Sequence, residues 1–461
     1  MSQAGRSTEN SPGGAALQRR LGFGPLMAIG LGIVISQGSM VTMLQATGIG
    51  GTAFFAALAV ALFVSLCYVD TFAELALMLP QAAGLGRYTE MALGPFAAIV
   101  VNFAGYVIVT FFAVAAELWL VDLVVRTLLP ALCPTLWVAF GVLTTAVVLN
   151  LVGLELFARL QGVLTVLKVS AMFALGVLAF LATPGSTAAT TIATPHGVDF
   201  AAVLPLVAMV IWGLLGAEYI CPMIEETRQP SRNVPRAMWV TLAAATMLYL
   251  MWVSWAPAHV PGDRLAASDV PHLLLGEALG GAGGRWLIGI ASLSASVGLV
   301  SSVLAAVPRL LYGMAREGHA FPIFARLHPR FRTPWAAILF LAGAIACSLL
   351  VLRGNDRAFT VLILSAASSW LLAYVVAHVD VLVLRRRWPR LARPYRSRWL
   401  PLPQVLGIAG MVYCLLHVSP DPSLTRSIYL HVGVVLALVA CVAALWVKLH
   451  LRRSLFEPVD L

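Results

Sequence analysis

Charge is scarce in this chain: Asp, Glu, Lys and Arg make up 11% of its 461 residues, while 60% are hydrophobic. A water-soluble surface cannot be covered at that charge density, so a string of soluble domains is excluded. Lysine is scarcer still, two against 28 arginines, a ratio that reads as codon bias in a GC-rich bacterium. The six cysteines (Cys67, Cys133, Cys221, Cys347, Cys414, Cys441) fall on separate segments with no CxxC or metal spacing, which predicts free, buried thiols. His196, His259, His272 and His319 lack a partner at ligand spacing, and no nucleophile elbow, phosphate loop or zinc motif occurs. No enzymatic chemistry, bound metal or cofactor is therefore expected.

What is abundant is apolar length. A hydrocarbon span needs about 20 mostly apolar residues. Such runs, bounded by Pro, Gly or charge, occur at 24–43, 52–79, 95–123, 135–153, 157–182, 201–223, 236–258, 284–312, 334–352, 358–384, 400–418 and 427–449. One all-α membrane domain of twelve spans follows. Residues 1–20 are polar and read as a tail, without the apolar core or cleavage site of a secretory signal. The net charge of +10 does not point to nucleic acid, because the basic residues sit between the spans. With the amino terminus inside, 23 of the 30 basic residues fall in cytoplasmic segments, six on the opposite side, and Lys168 within a span. The positive-inside rule then places both termini in the cytoplasm, in the inner membrane of a bacterium. The outer loops 183–200 and 259–283 carry no aromatic platform or catalytic cluster and read as connectors.

Two spans carry breaks. The first contains Gly30, Gly32 and Ser36-Gln37-Gly38-Ser39; the sixth contains Gly213, Gly216, Ala217 and Glu218. Glycine and small polar residues are poor helix formers, and a freed carbonyl in lipid is costly unless it lines a cavity. Five spans apart is an odd number, so the two enter the membrane from opposite sides, the pattern of an inverted repeat. In such transporters the half-helix amino ends point at a substrate carboxylate, and unwound carbonyls take a cation. The alternative is that these glycines only permit close helix packing.

Polar stripes accompany the breaks. Gln161, Thr165 and Lys168 stand at i, i+4 and i+7 on one face of the fifth span. Lys168 lies about 14 Å along the helix from its cytoplasmic end, at 1.5 Å per residue, too deep for snorkelling. It is either a coupling group or a structural donor to broken-helix carbonyls. In the third span Asn102, Tyr106, Thr110 and Glu117 fall within an arc of about 80° that faces the bundle. Ser294, Gly298, Ser301, Ser302 and Ala305 give the eighth span a small, hydroxylated face, suited to helix packing or to an ion. Asp70 and Glu74 form a carboxylate pair or accept from loop arginines, and read as gate or structural residues.

The segment Trp212 to Met238, WGLLGAEYICPMIEETRQPSRNVPRAM, resembles the helix 6 to helix 7 signature of the amino acid–polyamine–organocation superfamily. Pro308 to Ile338 resembles that family's helix 8 to helix 9 loop, QGVLTVLK its helix 5, and FAELALMLP its helix 2, so the likeness covers most of residues 20–385. It implies a LeuT-like fold of five-plus-five inverted repeats. Residues 21–385 would form the ten-helix core, 386–450 a basic loop with the last two helices, and 451–461 a second tail. By the same resemblance Ser36, Gln37 and Gly38, with Ser39 beside them, would receive a substrate carboxylate. Trp212 would be the aromatic gate, and Gly216, Ala217 and Glu218 would lie near the amine and side chain, with Tyr106 facing them. Lys168 matches a lysine that in proton-coupled relatives replaces a sodium ion, with Ser301 and Ser302 beside it. The chain has Ser36-Gln37-Gly38-Ser39-Met40 where the family commonly has Gly-Ser-Gly-Ile-Phe, and Ala217 stands where a bulkier residue is usual. The expected function is proton-coupled symport or exchange of an amino acid or amine across a lipid bilayer. Sodium coupling and a transporter-like sensor are the alternatives.

Overall fold

The computed structural model describes residues 19–80, 84–130, 136–182, 200–352, 356–419 and 422–459. Cys133, His196 and almost all of the loop 183–200 lie outside them. The described chain is helical: α1 (Phe23–Val34), α2 (Gln37–Gly50), α3 (Ala53–Met78), α4 (Leu85–Leu93), α5 (Pro95–Leu128), α6 (Trp137–Val152) and α7 (Leu154–Leu181) come first. Then follow α8 (Phe200–Trp212), α9 (Pro230–Val253), α10 (Gly262–Ala267), α11 (Pro271–Arg316), α12 (Trp335–Leu352), α13 (Asp356–Arg387), α14 (Leu402–Leu416) and α15 (Pro422–Trp446). Eight helical stretches are long and apolar enough to cross a membrane, α1 and α2 form a pair bent by 52°, and three shorter apolar helices lie at 137–152, 335–350 and 402–416. This is a multi-pass membrane protein.

Local chemistry explains the punctuation. Gly94 adopts φ +100, where a side chain would be strained, and so stops α4; Pro95 at the next position starts α5. A Cβ on Gly94 would also meet the Phe456 backbone at 2.8 Å, so the end of the chain rests directly on this turn. Two π turns, Phe103–Val107 and Thr110–Val114, add residues to α5 and rotate its downstream face. In consequence the polar arc of the third span is divided: Asn102 accepts from the Gly86 amide of α4, while Glu117 faces α2.

Three sequence expectations are revised. The connector 259–283 is largely helical, and α10 packs so closely on α2 that a Cβ on Gly262 would lie 3.0 Å from the Gly48 carbonyl oxygen. Cys347 and Cys441 are exposed on the outside of the bundle, whereas Cys67, Cys221 and Cys414 are buried. Lipid-facing and core positions of a span are equally apolar, so composition alone does not separate them. His319 has carboxylate neighbours after all: its Nε2 lies 3.3 Å from Glu90, and the ligand atoms of Glu90, Glu317 and His319 fall within 4.8 Å of one another. Arg87 and Arg453 also hold Glu90, at 2.9 and 2.8 Å, which makes the cluster an ionic knot tying the chain's end to α4. Burial raises the Glu90 pKa, but His319, Arg453 and Arg87 outweigh it and bring the carboxyl down to about 2.

The basic side of the molecule is sealed by short polar contacts. The Arg20 and Leu21 amides donate to the Glu226 carbonyl, and the Arg228 amide returns to Leu21. The buried Glu226 carboxylate is paired with Arg309 of α11. Asp70 accepts from the Tyr395 hydroxyl, and Glu74 accepts from Arg385 and the Ser397 amide and is ion-paired with Arg393 at 3.3 Å. Both carboxylates of α3 thus anchor the loop after α13.

Candidate functional site

The site is built on the break between α1 and α2. Ile35 leaves the helical region and Ser36 caps α2, its Oγ accepting from the Ser39 amide at 3.1 Å. A broken helix leaves carbonyls at one end and amides at the other, with partial negative and positive charge respectively. The protein places an opposite charge at each. Lys168 of α7 donates to the Leu31 and Ile35 carbonyls at 2.8 and 2.7 Å, with Gly32 O at 3.4 Å. Glu117 of α5 accepts from the Gly38 amide at 2.8 Å.

Other α1 carbonyls, one inside the helix and one at its end, take further donors. Gln161 and Thr165 both donate to Ala28 O at 3.2 Å, and the Tyr249 hydroxyl donates to Val34 O at 2.9 Å. The whole polar stripe of α7 is therefore spent on α1. Gly32 and Gly298 make this contact close: a Cβ on Gly32 would meet Gln161 Nε2 at 2.1 Å and Ser302 Oγ at 2.6 Å, and one on Gly298 would lie 3.8 Å from Lys168 Nζ. The buried hydroxyls of Ser301 and Ser302 have no hydrogen-bond partner among the described residues.

The second break follows α8. Gly216 adopts φ +109 and leads into a 3-10 helix, Ala217–Glu226. A side chain there would be strained, and its Cβ would lie 2.5 Å from Ile33 of α1. Tyr68 of α3 joins the loose ends, donating to Leu214 O at 2.8 Å while its oxygen lies 3.4 Å from the Ala217 amide. Glu218 is fully buried; one oxygen accepts from the Trp370 indole at 2.9 Å and the other has no partner among the described residues.

Between the two breaks lies an enclosed cavity of about 20 Å³, lined by Ser36 and Ser39, by apolar residues such as Val109, Leu215 and Val303, and by Trp212, Tyr219 and Trp370. Such a space holds about one water molecule, so this conformation is closed around an almost collapsed site. Trp212 packs edge-to-face on Trp370, with centroids 5.8 Å apart, and Tyr219 on Trp370 at 5.4 Å.

Of the residues singled out in the sequence, Ser36, Ser39, Thr110 and Trp212 border the cavity. Gln37 is turned away from it, donating to Leu120 O at 3.2 Å and accepting from Ser296 at 3.0 Å. Gly38 is held by Glu117, Ala217 by Tyr68, and Tyr106 packs against Tyr219 with tilted rings, centroids 5.0 Å apart. Glu117 was legible as part of a polar face but not as the partner of the α2 amino end. Tyr68, Tyr249 and Trp370 gave no signal, since aromatics in apolar runs look like ordinary core.

The two breaks thus lie together, with a lysine on the carbonyl end of the first and a glutamate on its amide end. The family model described as amino acid permease matches residues 21–448. The chain belongs to the amino acid permease family. An uncharacterized transporter of Mycobacterium tuberculosis is 31% identical to this permease over 335 residues, covering 72% of this chain and 73% of the relative. The branched-chain amino acid permease BcaP of Bacillus subtilis is 25% identical over 92% of this chain and 93% of its own. The glutamate/serine transporter AimA of the same species is 27% identical, covering 85% and 76%. The permease is a transporter rather than an enzyme.

Proposed function

We propose that this permease moves a neutral amino acid or related amine by proton-coupled symport or exchange, alternating access about the two broken helices. The carrying observation is the Lys168 ammonium on the carbonyls that end α1, a place where a bound cation would otherwise sit. A protein cation there removes the need for sodium, which favours proton coupling over the sodium reading. The side-chain preference follows from the cavity: no charged residue lines it among the described residues, while aliphatic groups and three aromatic rings do. A substrate carboxylate would compete with Glu117 for the amino end of α2, beside Ser36 and Ser39, as the cavity widens. Concentrative uptake of leucine or serine into proteoliposomes, driven by a pH gradient without sodium, tests the reading; a strict sodium requirement sinks it.

In the architecture that goes with this function, the eight long stretches, the bent pair and the three shorter helices make twelve crossings in a LeuT-like inverted repeat. Both termini face the cytoplasm of a bacterial inner membrane, since most arginines lie on that side. Reporter fusions with an external carboxyl end would overturn the orientation.

The aromatic wall gives a further expected result. Trp212→Ala weakens substrate binding by roughly tenfold or more, the burial of one large ring, while the protein stays folded because the indole borders the cavity on one side. Binding measured by thermal shift on the purified protein checks it; unchanged affinity in a well-folded variant removes Trp212 from the gate.

A further inference from the structure

A cleft of about 510 Å³ opens on the outer surface where the loop after α13 meets α3 and α14. It is unrelated to the enclosed cavity and is built in two tiers. The upper tier is apolar: Phe63 and Leu66 of α3 face Leu402 and Leu406 of α14, and Phe63 and Leu402 are 49% and 55% exposed. The lower tier is basic and aromatic. Residues 395–398 alternate, Tyr395 and Ser397 turning inward to the α3 carboxylates while Arg396 and Arg398 are exposed at the cleft.

Arg396 and Arg398 make no hydrogen bond or ion pair among the described residues, unlike Arg385 and Arg393 of the same loop, which Glu74 holds. Asp70 also reaches the cleft, but the Tyr395 hydroxyl occupies it at 2.7 Å, and two guanidiniums against one carboxylate leave a net positive charge. Trp399 stands beside them 75% exposed, an indole placed as at a membrane interface.

We propose that this cleft binds an anionic phospholipid from the leaflet on the basic-loop side. The phosphate sits on Arg396 and Arg398, Trp399 lies at the glycerol level, and an acyl chain follows the apolar tier between α3 and α14. Guanidiniums suit phosphate through paired N–H donors, and basic pockets between membrane helices select anionic headgroups. The loop is held rigid by Asp70 and Glu74, so the two free arginines are presented in fixed positions rather than on a floating tail.

The test uses full-length protein in phosphatidylcholine nanodiscs doped with phosphatidylglycerol or phosphatidylcholine carrying brominated acyl chains, which quench nearby tryptophan. The share of the signal belonging to Trp399 is the difference between wild type and Trp399→Phe. Brominated phosphatidylglycerol is expected to quench that share at a lower mole fraction than brominated phosphatidylcholine. Each arginine contributes roughly fivefold to the preference, so Arg396→Gln with Arg398→Gln removes it. Arg386→Gln with Arg390→Gln, the same charge change outside the cleft, leaves it intact. Equal quenching by the two lipids in wild type overturns the site without any variant. An equal loss in the two double variants shows diffuse attraction to the loop and overturns it as well.

Discussion

Lys168→Ala is expected to abolish proton-driven accumulation of substrate while leaving measurable binding. The ammonium is the cation on the Leu31 and Ile35 carbonyls, and it joins α7 to the broken end of α1. Losing its proton would withdraw the charge and a donor from that tie, favouring the state in which α1 swings free and substrate leaves; the shift equals the differential affinity for the two states. Lys168→Arg should fail too, since a guanidinium stays protonated throughout the cycle and the packed glycines Gly32 and Gly298 leave no room for its greater width. Proteoliposomes with a pH gradient decide the matter. A Lys168→Ala protein that still concentrates substrate on that gradient would show that the lysine is only structural.

The other large effect concerns the Glu226–Arg309 pair, whose side chains are 5% and 2% exposed. Breaking a buried pair leaves one charge without compensation and costs about 3–5 kcal/mol, whereas replacing both members by neutral groups is often close to neutral. Arg309→Met alone should therefore lower the melting temperature strongly, and Arg309→Met with Glu226→Gln should recover most of it. The Glu226 backbone also carries the contacts to Arg20 and Leu21, so the single variant is expected to loosen the seal on this side. An Arg309→Met protein that melts like wild type, or a double variant no better than the single one, would show that the pair does not hold the seal.

What could be read in the sequence was what repeats locally. Small polar residues interrupting an apolar run foretold the bend after Val34, and Gln161, Thr165 and Lys168, four and three residues apart, foretold one polar face on α7. Neither signal depends on distant residues. Glu117 was harder, because two π turns reset the register of α5 ahead of it and a 3.6-residue wheel no longer tells which neighbour it meets. The Gln37 side chain shows the same limit: its amide invited a role in the cavity, yet Leu120 and Ser296 claim it from behind. Glu90, Glu317 and His319 come together only through tertiary packing, so no spacing rule could collect them.

The ionic knot on α4 also sets an order of events during synthesis. Glu90 finds Arg453 only 363 residues later in the chain, and Glu74 waits 311 residues for Arg385. At about 5–20 residues per second, the Glu90 carboxylate emerges roughly 20–70 s before that arginine exists. Until the late arginines exist, Glu90 has the neighbouring Arg87 but Glu74 neither of its arginines, so burying the two carboxylates at that stage is costly. A chain cut short before residue 385 would therefore lack the arginines that hold both carboxylates from afar.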